Sequence, residues 1–234
     1  AAAAAKMKVA VMEVNQENLD RTISEIKKSG GDVTGYVVDL QVESQINEVI
    51  AKIEKDFGKI EVFVNNAAFH DAEDLLGSSL EMWNKTFAIN TTAPFRFIRA
   101  VTPIMKTQNS GRVIVIASIA GLMGEAFVTA YVASKHAVVG VVRASAIELN
   151  KYGITVNALC PGYVDTPMLD KGLDVTAART GKTRDELRAA LALKQPGGRL
   201  LTSDEVASAA IDFISNGETG QARWLDATTI GEKK

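Results

Sequence analysis

The sequence predicts one α/β domain built on a doubly wound parallel sheet, and three observations carry that expectation. Short β-branched runs alternate with amphipathic stretches along most of the chain. Those runs are continuously apolar rather than alternating, which is the pattern of parallel strands covered on both faces. The residues of chemical interest fall just after the runs, at the carboxyl ends of strands, where sheets of this kind bind ligands. No linker, low-complexity tract or charge block divides residues 1–234, so they read as a single domain.

Each element follows from local pattern. Lys8 to Met12 is a strand-like run ending at Glu13, and Gln16 to Ser29 is an amphipathic helix with Leu19, Ile23 and Ile26 on one face. Gly30-Gly31 closes it. Val33 to Val38 is a second strand, ending at Asp39-Leu40. Ile46, Val49, Ile50 and Ile53 repeat at helical spacing as far as Phe57-Gly58, and Ile60 to Val64 is a third strand, ending in Asn65-Asn66-Ala67-Ala68. A long helix is expected from about Leu80 to Lys106, with Asn90 in its interior. Val113 to Ala117 is a buried strand that stops at Ser118, and the apolar-periodic stretch Phe127 to Leu149 is a helix. Ile154 to Leu159 is a strand ending at Cys160-Pro161-Gly162. The segment 163–201 is less regular, with glycines at 172, 181, 197 and 198 and one helical piece around Thr183 to Leu193. A connection of that length in a compact domain is read as a substrate lid. Ser203 starts a well-capped helix to about Ile214, and Ala222 to Asp226 is a last strand.

Composition removes several classes. The formal net charge is −2 without a basic block, which points away from nucleic acid and anionic membrane. No apolar run is long enough to span a bilayer, and Ala1 to Ala5 is too short for the apolar region of a signal peptide. One cysteine cannot build a disulfide framework, so a reducing, cytoplasmic setting is expected. No His, Cys or carboxylate cluster has metal-ligand spacing.

Three residues carry the chemistry. Tyr131 and Lys135 are four apart on one helix, so both point to one face. A free phenol with a pKa of ~10 is a poor acid–base group at neutral pH, and an ammonium one turn away is expected to pull it towards the working range. Ser118, at a strand end, is placed to hold a substrate oxygen. Glu13 is an acidic strand-end residue able to accept from both ribose hydroxyls of an adenosine, which favours NAD over NADP. His70 and His136 read as a solvated loop residue and a surface or packing residue. Cys160, Trp83 and Trp224 read as packing residues.

The wider string, IVIASIAGLMG followed by YVASKHAVVG, resembles the short-chain dehydrogenase/reductase family. The resemblance implies a Rossmann-like oxidoreductase with Ser118, Tyr131 and Lys135 as catalytic residues and Asn90 holding a water that links the lysine to solvent. It implies that Asp39 with Leu40 lies near the adenine, and that Asn66-Ala67-Ala68 corresponds to an NNAG motif, Ala68 standing where glycine is usual. It likewise implies that Pro161, Gly162, Val164 and Thr166, in CPGYVDTP, meet the nicotinamide, and that the protein is a homodimer or homotetramer. The implied activity interconverts a secondary alcohol and a ketone, with a 3-ketoacyl-thioester reductase as the alternative within the enzymes. A non-catalytic structural or regulatory relative is the alternative outside them.

The resemblance runs from Lys8 to about Ile214 and fails at the amino end. The family's first strand and glycine-rich turn have no counterpart before Lys8, and Gly30, Gly31 and Gly35 follow a helix rather than a strand. In strand order 3-2-1-4-5-6 that strand lies between Lys8–Met12 and Ile60–Val64, so its absence predicts a gap of ~10 Å, about two strand spacings, in an otherwise continuous sheet. A preceding segment is therefore expected, with Ala1 to Ala5 continuing its helix.

Overall fold

The computed structural model describes residues 1–229. Six strands alternate with eight α-helices. The first half runs β1 (Val9–Glu13), α1 (Gln16–Lys28), β2 (Val33–Val37), α2 (Glu43–Phe57), β3 (Val62–Asn65), α3 (Leu80–Phe87) and α4 (Ala93–Gln108). The second half runs β4 (Gly111–Ile116), α5 (Thr129–Leu149), β5 (Ile154–Pro161), α6 (Pro167–Thr180), α7 (Arg184–Lys194), α8 (Ser203–Ser215) and β6 (Ala222–Leu225). Every strand pairing is parallel.

The sheet is in two parts. β1 pairs with β2, while β3, β4, β5 and β6 form a separate ladder in that order. The break falls between β1 and β3, where the expected strand order places the family's first strand. What joins the parts is the helix layer: α2 packs against α4, and one apolar cluster takes in Tyr36, Val38, Ile46 and Ile53 together with Phe97, Val101, Val113 and Val156. A second cluster, Ile114, Leu159, Phe213 and Leu225, seats α8 on the opposite face. Helices thus cover both faces, which is why β5 is buried at all eight positions. Gly35 admits α1 to β2, since a Cβ there would meet Ile23 at 2.4 Å.

Two expectations need correction. The single helix from Leu80 to Lys106 is α3 and α4 joined by a π-helical turn, Ala88–Thr92. The cause is in the sequence: Pro94 has no N–H to give the carbonyl four residues back, so the α-helical ladder cannot run through it. Segment 163–201 holds two helices rather than one, because Thr166 caps α6 from its side chain and Pro167 occupies its first turn. Ala1 to Lys6 forms hydrogen-bonded turns in the pattern of a helix end, with Ala5 N–H donating to the Ala1 carbonyl, Met7 N–H to the Ala2 carbonyl, and Lys6 in the left-handed region. No helix among the described residues is long and apolar enough to cross a membrane.

Candidate active site

The site forms where the end of β4 meets the first turns of α5. Ser118 follows β4 and caps a 3-10 turn, Ile119–Gly121, its hydroxyl accepting from Ala120 N–H at 3.1 Å. That turn lies directly on α5, and a Cβ on Gly121 would stand 2.8 Å from the Lys135 carbonyl. The glycine therefore sets the close approach that brings Ser118 to Tyr131 and Lys135.

The electrostatics differ from the expectation drawn from spacing. Tyr131 is pushed up, not down: burial dominates, the Glu125 carboxylate adds to it, and a hydrogen bond with the Ser118 hydroxyl works the other way. Lys135 makes no hydrogen bond to the phenol: its Nζ donates to the Ile116 carbonyl at 3.1 Å and stands over the Tyr131 ring, 5.5 Å from its centroid. Burial lowers the ammonium from 10.5 to about 8. It is 2 % exposed, and among the described residues Ile116 is its one hydrogen-bond partner, which leaves N–H donors for a hydroxyl-bearing ligand.

Asn90 lies in the π turn and is fully buried. Its Oδ1 accepts from Phe69 N–H at 2.7 Å, and its Nδ2 donates to the Phe69 carbonyl at 2.8 Å and to Ser134 Oγ at 3.0 Å. The side chain is thus committed to holding the loop after β3 against α5. The Asn90 main-chain carbonyl has no α-helical donor, because the residue four on is Pro94.

The residues expected around a nicotinamide cofactor follow the carboxyl ends of four strands. Glu13 ends β1, with Oε1 accepting from Asn15 N–H at 3.0 Å. Asp39 and Leu40 follow β2, and Asp39 Oδ1 accepts from Gln41 N–H. Asn66, Ala67 and Ala68 follow β3, where exposed small side chains leave the backbone approachable. Pro161 ends β5, and Gly162, Val164 and Thr166 lead into α6. These groups are the expected contacts of the nicotinamide and adenosine ends of the cofactor. A strand followed by a glycine-rich turn and a helix, the usual cradle for its phosphates, does not occur among the described residues.

Four site residues escaped the reading of the sequence. The His70 ring packs edge-on to Tyr131, with centroids 4.7 Å apart, so it borders the phenol rather than standing in solvent. Burial pushes it down, against the pull of Glu125. The Tyr163 hydroxyl donates to Glu125, and burial with that carboxylate pushes the phenol of Tyr163 up. Buried Gln195 bonds both the N–H and the carbonyl of Tyr163, at 2.9 and 2.8 Å, and the Arg199 carbonyl at 3.1 Å. It fills the space over Gly162, where a Cβ would lie 2.0 Å from its Oε1. A cavity of about 210 Å³ opens beside it, lined by Ile119, Met123, Tyr163, Pro196 and Trp224 among others. His136, by contrast, is exposed and bonded within its own helix to Val132. Cys160 is buried and burial raises its thiol to about 11, and Trp83 stacks on Phe87.

Residues 1–174 match the family described as short chain dehydrogenase. The chain belongs to the short-chain dehydrogenases. It is similar to a short-chain dehydrogenase of Rhizobium meliloti, named D-beta-hydroxybutyrate dehydrogenase, with 36% identity over 82% of this chain and 75% of that one. It is also similar to the galactitol 2-dehydrogenase of Agrobacterium fabrum, with 33% identity over 91% of this chain and 82% of that one. Among solved short-chain dehydrogenases, a variant of actinorhodin polyketide ketoreductase with NADPH superposes with a TM-score of 0.93 at 29% identity, covering 99% of this chain and 90% of that one.

Proposed function

We propose that this oxidoreductase interconverts a secondary alcohol and a ketone with a nicotinamide cofactor, Tyr131 exchanging the proton at the substrate oxygen. The observation that carries this reading is the convergence of Ser118, Tyr131 and buried Lys135, set by the contact of the Ile119–Gly121 turn with α5. A bound nicotinamide supplies or accepts the hydride. Tyr131, raised by burial, is held as the neutral phenol, which is the form that donates a proton to a ketone oxygen. Ser118 Oγ orients that oxygen. Lys135 presents its spare N–H donors to a ribose and, once so engaged, supplies the positive charge that stabilises phenolate on proton transfer. The Asn90 carbonyl offers a water the route by which Lys135 recovers its proton.

Glu13 supports NAD rather than NADP, because a carboxylate at that strand end accepts from ribose hydroxyls and repels a 2′-phosphate. Exposed Phe95 on α4 and Ile147 on α5 support self-association of those helices as a dimer or tetramer. Similarity to enzymes named for a hydroxy acid, a sugar alcohol and a polyketide ketone supports the alcohol–ketone class, with a ketoacyl-thioester reductase as the second reading.

Replacing Tyr131 with Phe is the direct test. Turnover of secondary alcohols falls by about 10²–10⁴-fold, as for loss of a positioned proton donor, while nicotinamide fluorescence still reports NADH binding. Unchanged turnover in Tyr131→Phe sinks the proposal. Tighter binding of NADPH than of NADH sinks the role given to Glu13.

A further inference from the structure

His70 is held in place more firmly than a loop residue needs to be. The buried side chain of Asn90 bonds both main-chain groups of Phe69, accepting from its N–H at 2.7 Å and donating to its carbonyl at 2.8 Å. The same amide donates to Ser134 Oγ at 3.0 Å, and that hydroxyl donates to the Tyr131 carbonyl at 2.8 Å. One short network thus ties the backbone just before His70 to the backbone of Tyr131. The two rings meet edge-on as a result, with centroids 4.7 Å apart and planes at 74°.

The polar edge of the imidazole is left free. Neither nitrogen of His70 has a hydrogen-bond partner among the described residues, and the residue is only half-buried. Its Cε1, the carbon between the two nitrogens, is the ring atom nearest Gly172 of α6, 3.7 Å from where a Cβ would stand. A glycine inside a helix destabilises it relative to alanine, and no contact requires one here, because 3.7 Å is an ordinary van der Waals separation. What the missing side chain leaves is room against the nitrogen-bearing edge of His70, beside the phenol. Burial favours the neutral imidazole, in which one nitrogen donates and the other accepts. A hydroxyl or carbonyl oxygen entering that room would find a matching partner.

We propose that His70 is a substrate-binding residue that hydrogen-bonds a second oxygen carried one or two carbons from the reacting carbinol, in space that Gly172 keeps open. The inference rests on the alcohol–ketone reading of the site, and it assigns the substrates to diols, polyols and their ketones rather than to plain alkanols.

Matched alcohols test it. The compounds 2-butanol, 1,3-butanediol and 2,3-butanediol, of one configuration, share the reacting carbinol and differ in a second hydroxyl. We expect the full-length protein with NAD to show kcat/KM about tenfold higher on at least one diol than on 2-butanol, the size of effect one hydrogen bond gives. His70→Phe, which keeps an aromatic ring against Tyr131, should abolish that preference, and His70→Asn, which keeps a donor and an acceptor, should restore part of it. Gly172→Leu, which fills the space, should narrow the preference through the KM of the diol. Equal kcat/KM on the three alcohols, or a diol preference that survives His70→Phe, overturns the role of His70 and leaves the alcohol–ketone reading intact. Turnover of no secondary alcohol with either NAD or NADP overturns both.

Discussion

At the residue scale, Lys135 is the group that geometry treats most severely. It is a cation in a fully apolar setting, and its pKa falls from 10.5 to about 8. The folded chain therefore sheds this proton before the unfolded chain does, and between pH 8 and 10.5 the unfolded state binds more protons. The sign follows: this group's contribution to stability is least below pH 8 and rises as pH climbs to 10.5. Cys160 works the other way, since burial raises its thiol from 9.0 to about 11 and stability is lost over that window. The expected outcome is that the stability difference between the unsubstituted protein and Lys135→Met shifts in favour of the former from pH 8 to 10.5, measured by urea denaturation at a series of pH values. A difference that stays flat would mean that the ammonium is solvated. Lys135 also marks where sequence reasoning stopped. The four-residue spacing placed it beside Tyr131, but its bond to Ile116, nineteen positions away, comes from the tertiary arrangement.

At the scale of elements, helices were legible wherever a cap or an apolar stripe marked them. Thr202 caps α8 and shares a capping box with Glu205, whose carboxyl is held down to about 2 by Arg199 and by the Thr202 N–H. Thr202→Ala should cost about 1 kcal/mol by thermal or chemical denaturation. A carboxyl held this low stabilises the fold above its ordinary value of 4.5, and that share is lost as pH falls towards 2. The advantage of the unsubstituted protein over Glu205→Gln should therefore fade through that acid window. α6 went unread because its stripe is weak and Gly172 sits inside it, although Thr166 followed by Pro167 was a readable start. The π turn was readable too: a proline one turn beyond a buried asparagine excludes an uninterrupted α-helix. Glu125 and Gln195 gave no signal, since Tyr163, which both bond, lies more than 30 positions from each.

At the scale of the molecule, the doubly wound plan was legible in the alternation of apolar runs and amphipathic stretches, and the break in its sheet in the strand order that the family resemblance implies. The two parts differ in burial. All five residues of β1 are only partly covered and Val37 of β2 is 53 % exposed, whereas β5 is buried throughout. Amide hydrogen exchange should separate them, with Val9–Glu13 and Val33–Val37 exchanging faster than Val113–Ile116 and Ile154–Pro161. Equal protection would mean that the helix layer binds the parts into one cooperative unit.

The Gln195 amide clasps Tyr163, where the α6–α7 arm leaves the sheet, and Arg199, where it returns. Leu201 N–H and carbonyl then bond Tyr163 and Asp165, so both feet of the arm are clamped together. The arm is fastened near its far end too, where Arg179 pairs with Glu73 at 2.8 Å just before Gly181, in the left-handed region, joins α6 to α7.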